Sequence, residues 1–245
     1  MAFAATPAAA AVCQAKSGVT TTALLELYTS EGCDSCPLAD RWFAELPKRG
    51  FGPERVVPLA LHVDYWNDLG WVDRFSQGAF TQRQRDLTNQ SRARTIYTPQ
   101  LVLNGRDYHW TSNRLAEDLA KVNGIPARAD IRLQLERKEQ TLSVKGHAAL
   151  RQTAATEADL YLALYENNLR TEVRAGENRG RTLEHAYVVR RLLGPIAFDA
   201  NGSAHIDQTL ALKKDWNASN LGVAAFVQER YGTAILQALA LALCP

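Results

Sequence analysis

A chain of 245 residues, 46% of them hydrophobic, can bury a substantial core and points to two domains. Its formal net charge of +2 arises from 28 basic and 26 acidic side chains scattered along the sequence, so it carries no nucleic-acid footprint. No apolar run approaches the length of a membrane span.

Residues 2–12 are rich in alanine and uncharged. They lack the basic start and long apolar centre of a complete export signal, and read as its small-residue end or as a mature terminus. Cys13 and Cys244 lie near opposite ends of the chain. They either form a structural disulfide, typically worth ~2–4 kcal/mol, or remain buried thiols, because connectivity is not written in sequence.

Ala23 to Tyr28 reads as a buried strand interrupted by one carboxyl, Glu26, which is either solvent-facing or a buried proton acceptor behind the cysteines. The strand runs into Gly32-Cys33-Asp34-Ser35-Cys36-Pro37, where a helical pattern begins. Two cysteines separated by two residues at a strand-to-helix turn suit reversible disulfide chemistry. Cys33 is expected at the N-cap, where free N–H groups and the helix dipole favour a thiolate, and Cys36 in the first turn. Zinc would need four ligands, and no second CxxC or close CxxH is present, so no metal is assigned. The helix should run to about Leu46, burying Leu38, Trp42, Phe43 and Leu46.

Val56 to Val63 is a second strand, and Pro58 within it argues for a sheet edge. Asp64-Tyr65-Trp66-Asn67-Asp68-Leu69-Gly70-Trp71 is aromatic and acidic, readable as core or as a lid that shapes a substrate groove over the cysteines. A helical stretch follows from about Asp73 to Arg92, with Phe75, Phe80 and Leu87 as its apolar stripe. Thr98-Pro99 then opens an extended run that turns at Asn104-Gly105, a strong hairpin signal. A Thr-Pro bond before a strand is compatible with the cis form, which would present backbone to an extended substrate. A helix capped by Thr111 or Ser112 runs through Leu115, Leu119 and Val122.

The order strand, helix, strand, helix, hairpin, helix, with CxxC opening the first helix and Thr-Pro opening the hairpin, is a thioredoxin-like arrangement with a helical insertion. After Gly124-Ile125-Pro126 the periodicity switches to two, as at Ile131, Leu133 and Leu135. Further extended runs at 182–193, 206–212, 221–228 and 234–243 indicate an antiparallel β-sandwich of seven or eight strands. The fold class is therefore α/β plus all-β. Residues 1–18 form a tail or signal remnant, 19–124 the thioredoxin-like domain and 125–245 the sandwich. Gly176-Glu177-Asn178-Arg179-Gly180-Arg181 is either a solvated hairpin loop or a loop reaching the first domain, with Arg179 or Arg181 pairing an acid near Cys33.

The chain resembles a bacterial family of exported thioredoxin-like proteins of unassigned function. The resemblance is carried by Thr29-Ser30-Glu31-Gly32-Cys33-Asp34-Ser35-Cys36-Pro37, His62-Val63-Asp64-Tyr65-Trp66 with Leu69-Gly70-Trp71, Tyr97-Thr98-Pro99-Gln100, Asn104-Gly105 and the loop from Gly176 to Arg181. Leu38 stands where a second proline is common. The resemblance implies a thioredoxin-like domain followed by a β-sandwich, in the periplasm or secreted, and implies no particular substrate.

The chemistry read from these residues is thiol–disulfide exchange: Cys33 attacks a disulfide, Cys36 resolves the mixed disulfide, and Glu26 takes the proton. Thr98, Pro99 and Trp66 would hold the substrate, with Glu31, Asp34, His62, Asp64 and Arg181 around them. No cofactor is required. The partners would be a disulfide-bearing protein or small thiol and an unidentified redox partner. Asp34 and Glu31 oppose the helix dipole and place the pair nearer a reductant or isomerase than a strong oxidant. Two other readings use the same residues: a Cu(I)-binding protein recruiting His62 or His109, and a non-catalytic binding module with a fixed disulfide.

Overall fold

The computed structural model describes residues 12–91, 95–151 and 157–244, so the export-signal reading of residues 2–11 lies outside the described residues. The helix expected from about Asp73 to Arg92 begins only at Gly78 and ends at Gln90, with Ser91 as its C-cap. The first half comprises β1 (Val12–Lys16), β2 (Ala23–Thr29), α1 (Cys36–Ala44), β3 (Val56–His62), α2 (Gly78–Gln90), β4 (Gln100–Leu103), β5 (Arg106–Tyr108) and α3 (Leu115–Asn123). The second half contains β6 (Ala129–Lys138), β7 (Thr141–Leu150), β8 (Ala158–Glu166), β9 (Leu169–Glu172) and β10 (Thr182–His185). It is completed by β11 (Val188–Ala197), β12 (Ser203–Ala211), β13 (Leu221–Glu229) and β14 (Ile235–Ala242). The result is a mixed α/β protein dominated by β-sheet, with sandwich-like layers.

Among the described residues, one sheet has eight strands in the order β14-β13-β8-β11-β3-β2-β4-β5, a second has four in the order β1-β6-β7-β12, and β9 and β10 form a separate ribbon. The long sheet folds over itself at the β11–β3 junction. Alternation along each strand then sends side chains into two different cores. On β2, Leu24 and Tyr28 face the inner core, where they meet Ala163 and Tyr165 of β8 and Phe226 of β13. Leu25 and Leu27 face the opposite way, against Phe43 of α1 and Leu115 and Leu119 of α3. The far side of β8 and β13, through Leu162, Leu164, Val223 and Ala225, packs on the four-stranded sheet.

The two halves are therefore joined through one sheet. β11 meets β3 in parallel at a single pair, Val188 opposite Ala60, where the Ala60 N–H donates to Tyr187 O at 2.8 Å. Pro58 is accordingly not at an edge, because β3 lies between β2 and β11. It is tolerated because its missing donor faces the β11 side two residues before that one bridge. The sandwich recruits β1 from the segment read as a tail: Val12 to Lys16 pair along the whole of β6's central stretch. Cys13 and Cys244 form a disulfide with Cα atoms 5.8 Å apart, closing β1 onto the end of the chain. The extended run 182–193 divides into β10 and β11 at Tyr187, whose φ of 57° turns the chain. The last run is a strand, β14.

Within the helices, α1 starts two residues later than its cysteine spacing implies. Ser35 is the N-cap, Cys36 the first helical residue, and Pro37 follows in the first turn. Residues 33–35 instead form turns, with Cys33 N donating to Ser30 O and Cys36 N to Cys33 O. The buried stripe is Cys36, Ala39, Asp40 and Phe43, and Leu38 is exposed. α3 likewise begins at Leu115 after a 3-10 turn at Trp110–Ser112.

In the inner core, α2 delivers one cation. Arg83 Nε donates to Glu26 Oε1 at 2.6 Å and its Nη2 donates to Glu26 Oε2 at 3.2 Å and to Gln228 Oε1 of β13 at 3.0 Å. The Tyr28 hydroxyl also donates to Glu26. The guanidinium lies 5.0 Å from the Tyr161 ring centroid and 4.9 Å from that of Phe226. Burial of Arg83 disfavours its charge, but Glu26 outweighs this and its pKa is raised. Removing one partner strands the other charge among apolar side chains. Arg83→Met should lower the free energy of unfolding by roughly 3–5 kcal/mol, and pairing it with Glu26→Leu should restore part of that loss, read by urea denaturation.

Candidate functional site

Cys33 and Cys36 form a disulfide with Cα atoms 5.4 Å apart, placed where β2 hands over to α1. Both residues are 0% exposed. Cys33 Sγ lies 3.4 Å from the Ser35 hydroxyl. β4 runs antiparallel to β2 with Gln100 opposite Tyr28, so Thr98 and Pro99 arrive at the end of β2 from which the cysteine loop departs. The Thr98–Pro99 peptide is cis. Trp66 links the two segments: its indole N–H donates to Thr98 Oγ1 at 2.8 Å, and a Cβ on Gly32 would lie 3.1 Å from Trp66 Cβ.

The loop from Gly176 to Arg181, between β9 and β10, closes over this turn. The Asn178 carboxamide donates to Glu31 O at 2.9 Å and to Cys33 O at 2.8 Å, and Asn178 is fully buried. Glu177 accepts the backbone N–H of Asp34 at 3.1 Å. The loop thus reaches the cysteines through Asn178 and Glu177. Arg181, expected to pair an acid, instead donates to Asn178 Oδ1 at 2.8 Å and so orients the carboxamide. Gly176 has a φ of +70°, and a Cβ there would stand 3.0 Å from Trp71 Cβ, which explains glycine at this point of contact.

Beneath the turn sits a buried cluster of ionisable groups: Glu31, Asp40, His62, Asp73 and His185. Asp73 Oδ2 accepts both His62 Nδ1 at 2.6 Å and the Glu31 N–H at 2.9 Å. Glu31 Oε2 accepts the Trp71 indole N–H at 2.9 Å, and its Oε1 lies 3.2 Å from His185 Nε2. The two imidazoles meet edge to face with centroids 5.0 Å apart. Burial works against the charged form of His62, but Asp73, with Asp40 and Glu31, outweighs it and the pKa is raised. Burial also works against charge on Asp73, which His62 and the backbone N–H groups overcome, leaving its pKa lowered. Burial dominates at Asp40 and raises its pKa, against the pull of His185 and His62.

Glu26 does not stand behind the cysteines. Period-two alternation places it with Leu24 and Tyr28 on the inner face of β2, bound to Arg83, whereas α1 packs on the outer face. Asp64 is likewise drawn away, bonded to the Thr81 hydroxyl in the first turns of α2. Asp34 and His109 are exposed. Among the described residues, no group of three or more His, Cys, Asp or Glu side chains is arranged to hold a metal ion. Asp40, Asp73, His185 and Asn178 join the site without being marked as site residues by the sequence pattern. Asp40 had a signal, four residues after Cys36 and three before Phe43 on the same helix face. His185 shares the buried face of its strand with Leu183.

Residues 24–228 match the family described as protein of unknown function, DUF1223. The chain belongs to this family. The match runs from β2 to β13 and so takes in the cysteine turn, the capping loop and most of the sandwich. In fold the chain is similar to protein AGR_C_4864 from Agrobacterium tumefaciens, at 24% identity and a TM-score of 0.63, covering 91% of this chain and 94% of that one. It is also similar to HBP35 of Porphyromonas gingivalis, at 18% identity and a TM-score of 0.68, covering 93% of this chain and 76% of that one. None of the curated proteins matches it. No helix among the described residues is long and apolar enough to cross a membrane.

The His62–Asp73 pair makes stability depend on pH in a defined direction. The raised His62 contributes fully below its ordinary pKa of ~6.5 and loses that contribution as pH rises through the folded value. The lowered Asp73 contributes above its ordinary value of ~3.9 and loses it as pH falls through the folded value. Asp40, raised by burial, instead weakens the fold as pH climbs through the carboxyl range. Urea unfolding from pH 5 to 9 should therefore show stability declining on the alkaline side, by up to ~1.4 kcal/mol per pH unit per proton released. Asp73→Asn should flatten that decline; an unchanged slope would show that His62 carries no charge at neutral pH.

Proposed function

We propose that this DUF1223 protein is a thiol–disulfide oxidoreductase acting through Cys33 and Cys36 on a disulfide-bearing protein or small thiol. The observation that carries the reading is the placement of the Cys33–Cys36 disulfide at a strand-to-helix turn, with Thr98 and Pro99 brought beside it by the β2–β4 pairing. The strand order β3-β2-β4-β5, with β3 parallel and β4 antiparallel to β2, supports a thioredoxin-like first half. An oxidising compartment, periplasmic or extracellular, suits a protein that also carries the Cys13–Cys244 bridge.

In the reduced protein the Cys33 thiolate attacks a substrate sulfur, forming a mixed disulfide and expelling one substrate thiolate. Cys36 then loses its proton and attacks Cys33, reforming the internal disulfide and releasing the second thiolate. Two electrons pass from the cysteine pair to the substrate. The Ser35 hydroxyl is positioned to donate to a Cys33 thiolate. With Glu26 engaged elsewhere, proton uptake from Cys36 passes to the buried cluster, where Asp40 lies one turn further along the same helix face. Exposed Asp34 disfavours a thiolate on Cys33 and sets the pair nearer a reductant or isomerase.

Complete burial of both sulfurs favours a second reading, a binding module whose disulfide never opens. Asn178 separates the two. It clamps the cysteine loop, so exchange requires that clamp to release, and each lost bond is worth ~1 kcal/mol. Asn178→Ala should accelerate reduction of Cys33–Cys36 by dithiothreitol about thirtyfold, read by alkylation and mass spectrometry. Glutathione titration should give a potential well below that of strong dithiol oxidants, moving upward in Asp34→His. Resistance to excess dithiothreitol in both the native protein and Asn178→Ala would establish the binding module instead.

A further inference from the structure

Away from the cysteines, a cavity of about 420 Å3 opens where the segment preceding α2 meets the start of β11 and the loop after β12. Arg74, Arg190, Arg191 and Lys213 line it together with Phe75 and Trp216. Among the described residues, none of its lining side chains is a carboxylate.

The cations and rings alternate. Arg74 lies 4.6 Å from the Phe75 ring centroid, and Arg190 lies 5.1 Å from that ring and 4.9 Å from the Trp216 ring. Lys213 Nζ continues the series at 5.9 Å from Trp216. The buried rings thus hold the charges on one wall and limit the freedom they would lose on binding a ligand. Arg190 is largely buried and balanced by Glu166, at 3.4 Å, and by exposed Asp215, at 3.9 Å. Arg74, Arg191 and Lys213 are exposed, and among the described residues they make no ion pair. The Arg74 guanidinium donates to Arg170 O at 2.9 Å.

Cations gathered round one concavity repel each other and draw in negative charge, and guanidinium forks match the paired oxygens of phosphate and carboxylate. The cavity is large enough for a small molecule with several such groups, while Leu192 and Leu193 give it an apolar side. We propose that this cavity is a binding site for a small polyanion bearing two or more phosphate or carboxylate groups, held by Arg74, Arg191 and Lys213 with Arg190 behind them. The site does not depend on thiol chemistry.

Isothermal titration calorimetry on the full chain, with pyrophosphate and citrate as probes and sodium chloride at matched ionic strength as reference, tests this. Saturable one-to-one binding is expected for at least one probe, and which one binds identifies the phosphate or the carboxylate class. Arg191→Gln and Lys213→Gln, at exposed positions that leave folding intact, should each weaken it about tenfold, and the double variant should remove it. Replacing Cys33 and Cys36 by serine should leave affinity unchanged. Heats no larger than the chloride reference, or affinity indifferent to both substitutions, would overturn the proposal.

Discussion

A carboxylate sealed between apolar layers must meet a cation, and in this protein the Glu26–Arg83 pair settles how the layers assemble. Glu26 comes from the middle strand of the first half, Arg83 from the helix inserted after β3, and Gln228 and the rings of Tyr161 and Phe226 from the second half. Desolvation of both charges is costly, and the geometry must be right for the pair to be tolerated. Those demands fix the register of α2 over the folded sheet. With α2 fixed, Phe80 and Leu87 fill the inner core. The segment before it then carries Asp73 under the cysteine turn and Phe75 and Arg74 to the cavity wall.

The cysteine turn is governed by backbone carbonyls that need donors. A loop between a strand and a helix leaves C=O groups unpaired, and burying them without partners is expensive. Asn178 supplies two of the missing bonds from a ribbon belonging to the other half of the chain. The cysteines beside that contact are fully buried. Protection and access are thus opposed in one side chain, which gives the redox reading its central constraint: local opening must precede chemistry.

Much of this was legible in the residues. The strand before the cysteines, the Asn104-Gly105 hairpin with its positive φ values of 50° and 84°, and the strands after Gly124 followed from periodicity and turn chemistry. What sequence did not convey was partnership at long range. Alternation alone puts Glu26 on a face, but which face meets α1 is decided by how the sheet folds. Pro58 looked like an edge residue because a sequence does not show that β11 bonds to β3 at a single point. Cys33 looked like an N-cap because two turns and a helix begin with similar local signals. Asn178 gave none, since an asparagine in a glycine-rich loop has an obvious local role and its actual bonds lie about 145 residues away.

The single bridge between β3 and β11 also bears on how such a chain is inherited and handled. Gly124-Ile125-Pro126 has the look of a linker, yet the pieces on either side are not modules. A fragment ending there would keep the cysteine turn but lose its Asn178 clasp, the facing wall of its inner core and a hydrogen-bonded neighbour for β3. It would also retain β1 as an orphan whose partner strand, β6, had been cut away. Recombination or engineering that swaps one half for another must therefore preserve that seam.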